Sequence, residues 1–137
     1  MIDDSKGQKL NDKEIRETFC NYLENTLIEK YRFIDELVIG KARADIVIVT
    51  DILTGYEIKS DNDSFTRLPG QVKEYSVYFQ KNYLVIGDVH RKNAKKYIPQ
   101  FWGLICIYNK NDSIHVEIVR KAEKNPKFKF KKQLRLL

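Results

Sequence analysis

The chain has 137 residues, 32% of them charged and 42% hydrophobic, with a formal net charge of +6. That length suits one domain, burying about two-thirds of its unfolded surface around a single core. It excludes a bilayer-spanning or disulfide-framed class: no apolar run approaches the ~20 residues a membrane helix needs, and two cysteines, Cys20 and Cys106, are too few for a small secreted scaffold and read as buried reduced thiols.

The opening Met1-Ile2-Asp3-Asp4-Ser5-Lys6 lacks the apolar core of a signal peptide, so a soluble cytoplasmic protein is expected. Asn11-Asp12-Lys13-Glu14 has the form of a capping box, and Ile15, Phe19, Tyr22, Leu23, Leu27 and Tyr31 follow at helical spacing, predicting a helix over about 12–31. Phe33 to Ile39 reads as a first strand. Asp45-Ile46-Val47-Ile48-Val49 is a β-branched run of the kind covered on both faces, and Tyr56 to Ser60 returns after a turn at Thr50 to Gly55. Asp61-Asn62-Asp63-Ser64 is a loop of capping and turning side chains, and Pro69 suits the first turn of a second helix running to about Gln80. Tyr83 to Ile86 reads as a buried strand, Lys92 to Tyr97 as a short basic helix ended by Pro99, Leu104 to Tyr108 as another strand and Ile114 to Val119 as an alternating edge strand. The order α-β-β-β-α-β-α-β-β implies an α/β domain, a mixed sheet flanked by helices. No P-loop or GxGxxG calls for a nucleotide cofactor.

The chemistry gathers around Asp45 and Glu57. Strand residues two apart share a face, so Glu57 and Lys59 project together while Ile58 turns into the opposite layer, and Asp45 joins them from the neighbouring strand. Two carboxylates ~5 Å apart repel by about 3 kcal/mol at an effective dielectric near 20, a cost that a cation between them relieves. Magnesium, with manganese as a substitute, prefers oxygen ligands and keeps several waters, so Asp45, Glu57 and the Ile58 carbonyl would suffice. Lys59 is then a compact ammonium for the phosphoryl charge, or simply a salt-bridge partner of the acids.

These residues resemble the PD-(D/E)XK nuclease superfamily, with its restriction-endonuclease-like core, and within it small bacterial and phage proteins related to the MmcB-like DNA repair proteins and VRR-NUC domains. The likeness covers about residues 12–108. It rests on Glu14-Ile15-Arg16, Asp35-Glu36-Leu37, Arg43-Ala44-Asp45, Glu57-Ile58-Lys59, Arg67-Leu68-Pro69-Gly70-Gln71, Tyr75, Pro99 and Trp102-Gly103-Leu104. Ala44 stands where the superfamily name has proline, a position that holds no ligand. The resemblance implies Mg²⁺-dependent DNA hydrolysis, in repair or in the processing of phage or mobile-element DNA, with Asp45 and Glu57 as metal carboxylates and Lys59 as the catalytic lysine. It also implies Glu14 as an additional helix-borne acid, Gln71 as the glutamine after the core motif, and a homodimer as an expected assembly. The alternative is a catalytically silent module of the same fold that binds DNA or a protein partner.

Several further residues are candidates. Glu14 lies three residues after Asn11 and can equally cap the helix. Gln71 and Tyr75 sit one helical turn apart and can face the site together, Tyr75 as a packed ring with an exposed hydroxyl. Arg43, Arg67 and Lys73 flank the acids as phosphate contacts, although the arginines can instead neutralise Asp61 or Asp63. Arg91 and Lys92 would track nucleic acid only if the fold sets them beside the cleft. Residues 1–120 balance 18 Lys/Arg against 18 Asp/Glu, whereas residues 121–137 hold 7 against 1. This basic tail, with Lys129 and Lys131 among Phe128 and Phe130, is read as a phosphate-touching surface or as a frayed solubilising end outside a single domain at 1–120.

Overall fold

The structure, a computed structural model, describes residues 8–136; the reading of Met1 to Lys6 and the final residue of the basic tail lie outside the described residues. Helix α1 (Asp12–Thr26) begins on the expected capping box: Glu14 N donates to Asn11 Oδ1 at 2.9 Å and Asn11 N to Glu14 Oε1 at 3.1 Å. It ends earlier than the apolar spacing predicts. Thr26 Oγ1 takes the Tyr22 carbonyl at 2.7 Å and Leu27 turns extended, which sends the chain off to begin the sheet.

Strands β1 (Arg32–Ile39), β2 (Ala42–Val49) and β3 (Leu53–Lys59) form an antiparallel meander. Helix α2 (Leu68–Tyr78), with Pro69 in its first turn, crosses to β4 (Lys81–Gly87), which lies parallel to β3. A 3₁₀ turn at Asp88–His90 follows β4, a second at Ala94–Tyr97 stands where a short basic helix over Lys92 to Tyr97 was expected, and the chain continues into β5 (Gly103–Lys110), parallel to β4. Strand β6 (Ser113–Arg120) closes the sheet as an antiparallel edge, and a short helix α3 (Phe130–Leu134) follows. The six strands lie in chain order, a mixed sheet in a mixed α/β fold. Among the described residues no helix is long and apolar enough to cross a membrane.

Period-two alternation divides the sheet into two buried faces. Ile46, Ile48, Ile58, Val85, Ile105 and Ile107 pack under Ile15, Phe19 and Leu23 of α1. Val47, Leu84, Ile86, Leu104 and Cys106 pack under Leu68 and Tyr75 of α2 and Phe79 just after it, together with Trp102. Cover on both sides is why β2 and β4 read as unbroken apolar runs. Close approach at one point is built in: a Cβ on Gly55 would lie 2.4 Å from the Phe79 ring and 2.9 Å from that of Tyr75, so only glycine lets α2 lie this near β3. Cys106 is buried and Cys20 half-buried, both free; burial pushes the Cys106 thiol up to about 12.

The chain after β6 is not a frayed end, one of the two readings its basic composition allowed. Ala122, Asn125 and Gln133 are buried and the segment is hydrogen-bonded to α2 and to Gln80, so residues 121–136 are continuous with the domain. The physical reason is that the C-terminus of α2 presents carbonyls that need donors.

Candidate active site

The sheet opens where Asp45 sits. Strand β1 pairs with β2 at Asp35/Ile46 and again at Leu37/Ala44, skipping the Glu36/Asp45 position, where Glu36 adopts a left-handed φ of 52°. On the other side the β2–β3 ladder ends at Ile46/Tyr56. Asp45 therefore has main-chain and side-chain groups released from the sheet. Its Oδ2 accepts from Ile58 N at 2.7 Å, and its N–H donates to the Tyr75 hydroxyl at 3.1 Å. A strand residue points its N–H and C=O to the same side, so the Ile58 carbonyl also faces the gap where the ladder has ended.

Glu57 and Lys59 share a face as expected and Ile58 turns to the α1 side. Glu57 is 3% exposed and Lys59 4%, with Lys59 Nζ 3.5 Å from Glu57 Oε2. The hydroxyl of Tyr75 donates to Glu57 Oε1 at 2.6 Å. Burial, and next the neighbouring Asp45 carboxylate, push Glu57 up to about 8, against the opposing pull of Tyr75 and Lys59. The Glu57 carboxyl therefore keeps its proton more readily than a free glutamate does. Burial and the Glu57 and Asp45 carboxylates raise the Tyr75 hydroxyl well above its usual range, so it stays a donor.

Around this pair lies a cleft of about 1010 Å³. Its floor is Asp45, Glu57, Ile58 and Lys59; Arg43 comes from β2, while Arg67, Gln71 and Lys73 come from α2 and the turn before it. Arg43, Arg67 and Lys73 are exposed on the rim. Among the described residues neither acid offered as a competitor forms a salt bridge with these arginines: Asp61 accepts from Leu10 N at 2.8 Å and Val89 N at 3.0 Å, and Asp63, itself in the cleft lining, accepts from Ser60 N at 2.8 Å. The Gln71 Oε1 atom is buried in the cleft wall without a hydrogen-bond partner among the described residues.

Several expected site residues lie elsewhere or play another part. Glu14 is exposed and spent on the capping box, because its helix position points its carboxylate back to Asn11 and away from Asp45. Tyr75 has no exposed hydroxyl and cannot touch nucleic acid; it is fully buried beneath the two acids. Arg91 lies outside the cleft, paired with Asp88 at 3.1 Å and Glu117 at 3.1 Å and set over the Tyr108 ring. Lys92 lines a separate cavity with Asp61 and Asp88. Lys129 and Lys131 also lie outside the cleft lining, on the segment bound to α2.

Sequence reasoning missed Arg16. From α1 it reaches Asp45 Oδ1 at 3.0 Å, Glu36 at 3.3 Å and Asp12 at 3.3 Å. The available signal was its place one turn after Asp12, beside the apolar stripe of Ile15 and Phe19, which turns it toward the edge of the sheet.

Among the described residues no third acid, histidine or cysteine joins Asp45 and Glu57 to form a three-ligand cluster. The donors nevertheless fit a hard cation. Glu57, its carboxyl raised by burial and by Asp45, carries a proton that such a cation can displace, Ile58 presents a carbonyl beside it, and the Gln71 acceptor stands without a partner in the wall.

The family described as Bacteriophage P4 protein cII matches residues 5–137. Protein cII of Enterobacteria phage P4 is 28% identical over 119 residues, 85% of this chain and 45% of that protein, so the chain spans about half the length of the curated relative it matches. Among solved structures, the SPO1766 protein of unknown function from Silicibacter pomeroyi is similar with a TM-score of 0.61 and 16% identity, over 98% of this chain and 83% of the other. At that identity the likeness is one of fold.

Proposed function

This chain belongs to the bacteriophage P4 protein cII family, and we propose that its fold is a PD-(D/E)XK-type core that hydrolyses DNA phosphodiesters with a divalent cation in the cytoplasm. The observation that carries the reading is the juxtaposition of Asp45, Glu57 and Lys59 from two adjacent strands at the floor of a cleft rimmed by Arg43, Arg67 and Lys73. Burial beside the Asp45 carboxylate makes Glu57 costly to ionise, and a cation between the two acids is the simplest relief of that cost.

Asp45, Glu57 and the Ile58 carbonyl would hold magnesium or manganese. When bound, the cation supplies Lewis-acid neutralisation of the phosphoryl group and a more acidic water. The chain does the rest. Lys59, fixed by its contact with Glu57, places an ammonium where negative charge grows on the phosphoryl oxygens. Gln71 Oε1 accepts a hydrogen from a water or from the substrate, and the rim arginines grip flanking phosphates in bidentate fashion. Tyr75 holds the Glu57 carboxyl in place, and Arg16 occupies Asp45 Oδ1 in competition with the cation.

Cleavage of labelled single-stranded, duplex, flapped and branched DNA with magnesium or manganese tests the reading. Asp45→Asn, Glu57→Gln and Lys59→Gln are each expected to lose cutting by orders of magnitude while remaining folded; full activity in all three would sink it. One observation favours a non-catalytic module instead: each carboxylate oxygen of the pair already contacts a donor of the chain itself, namely Arg16, Ile58 N, Tyr75 and Lys59. Failure to bind manganese, together with no cutting of any substrate, would select that reading.

A further inference from the structure

The basic segment after β6 is fixed by the fold, yet the fold makes no use of its cations. A helix ends with four carbonyls lacking intrahelical donors. Those of α2 are taken in turn by this segment: Asn125 Nδ2 donates to the Ser76 and Phe79 carbonyls, Lys129 N to Val77 O at 2.9 Å, and Gln133 Nε2 to Tyr78 O at 2.9 Å. Asn125 N also donates to Gln80 O at 2.8 Å, and the Gln80 and Gln133 amides bond each other at 2.8 and 3.2 Å. The amides and main chain thus do the capping, and lysine ammoniums are not needed for it.

All seven Lys/Arg of residues 121–136 are exposed, and none forms a salt bridge among the described residues. Attraction to the negative end of α2 accounts for one or two cations at about 0.3–1 kcal/mol each, not for seven. Between Lys129 and Lys131 the ring of Phe130 stands 62% exposed on α3. An apolar ring left in water amid unpaired cations suits a strand whose phosphates meet the cations and whose unstacked bases meet the ring. A duplex offers no free base face to that ring.

We propose that residues 121–136 form a preformed surface for single-stranded nucleic acid, with Lys127, Lys129, Lys131 and Lys132 on phosphates and Phe130 on a base. Its place gives a direction. The first half of α2 lines the cleft through Gln71 and Lys73, while its last turn is held by the basic segment, so the helix, about 16 Å long, joins the two. A strand leaving the cleft along α2 meets the second surface. Because the backbone is already ordered, binding carries little ordering cost. The path from the cleft rests on the hydrolase reading; binding by the segment does not.

The test uses the full chain without divalent metal and follows binding of a labelled oligothymidylate of about 20 nucleotides as salt rises from about 50 to about 200 mM. Replacing Lys127, Lys129, Lys131 and Lys132 with glutamine is expected to reduce the slope of log affinity against log salt by about 3, since each single-strand contact contributes about 0.7. Wild type would then lose roughly 50-fold more affinity than the variant over that range. Phe130→Ala, at an exposed position, is expected to weaken binding roughly 5- to 150-fold with the slope unchanged. An unchanged slope in the fourfold variant, an unchanged affinity in Phe130→Ala, or wild-type binding to phosphatidylserine vesicles and not to the oligonucleotide would each overturn the proposal. Loss of slope in a protein that cuts no DNA would uphold this surface and count against the hydrolase reading alone.

Discussion

Replacing Glu57 with glutamine tests the electrostatics of the acid pair without metal or substrate. The Glu57 carboxyl is raised from 4.5 to about 8 by burial and by Asp45. A raised acid binds its proton more tightly in the folded state than in the unfolded one. Its contribution to stability is therefore full below about 4.5 and is lost progressively as pH rises to about 8. At about 1.4 kcal/mol per pH unit, the wild type loses on the order of 5 kcal/mol through this group across that window. Exposure of 3% leaves little solvent screening to reduce the figure. Glutamine keeps the shape and can still accept from Tyr75 Oη but cannot ionise. Urea unfolding of both proteins at intervals between about pH 4.5 and 8.5 should show the variant gaining on the wild type by several kcal/mol toward the alkaline end. Parallel curves would refute the account, because they would mean that Glu57 titrates alike in the folded and unfolded chain.

Three other substitutions follow from the same contacts. Arg16→Ala removes the internal cation from Asp45; manganese affinity measured by calorimetry is expected to rise about tenfold, equivalent to about 1.4 kcal/mol, and an unchanged or lower affinity would contradict that competition. Tyr75→Phe deletes the donor to Glu57 and leaves the Asp45 N–H unpaired in the interior, so chemical denaturation should show a loss of about 1–3 kcal/mol. Asn125→Ala orphans the Ser76 carbonyl and thins the cap on α2. A loss of about 1–3 kcal/mol is expected, and no change would mean that water replaces the amide without cost.

Much of the fold was legible because local chemistry and tertiary packing agree in it. The Asn11/Glu14 capping box, the Pro69 start of α2 and the apolar runs of β2 and β4 each carry a signal within a few residues, and each element lies where that signal puts it. The Glu57-Ile58-Lys59 spacing gave the shared face directly. Other features arise only from contacts distant in sequence. Arg16 meets Asp45 across 29 positions, Tyr75 meets Glu57 across 18, and Asn125 caps a helix 46 positions earlier. Composition alone left the tail open between a phosphate-touching surface and a frayed end, since lysines dominate it; three buried side chains spaced along it exclude the frayed end. Glu14 shows the opposite hazard, an acid whose local bond outcompetes a distant role.

Metal-dependent hydrolysis by this chain requires that Asp45 and Glu57 form a divalent-cation site. Calorimetric titration of the full chain with manganese, wild type beside Asp45→Asn, tests this most directly. One saturable site in the wild type, lost in the variant while its fold persists, is the predicted result. Absence of binding in the wild type, or binding that survives the substitution undiminished, would contradict it.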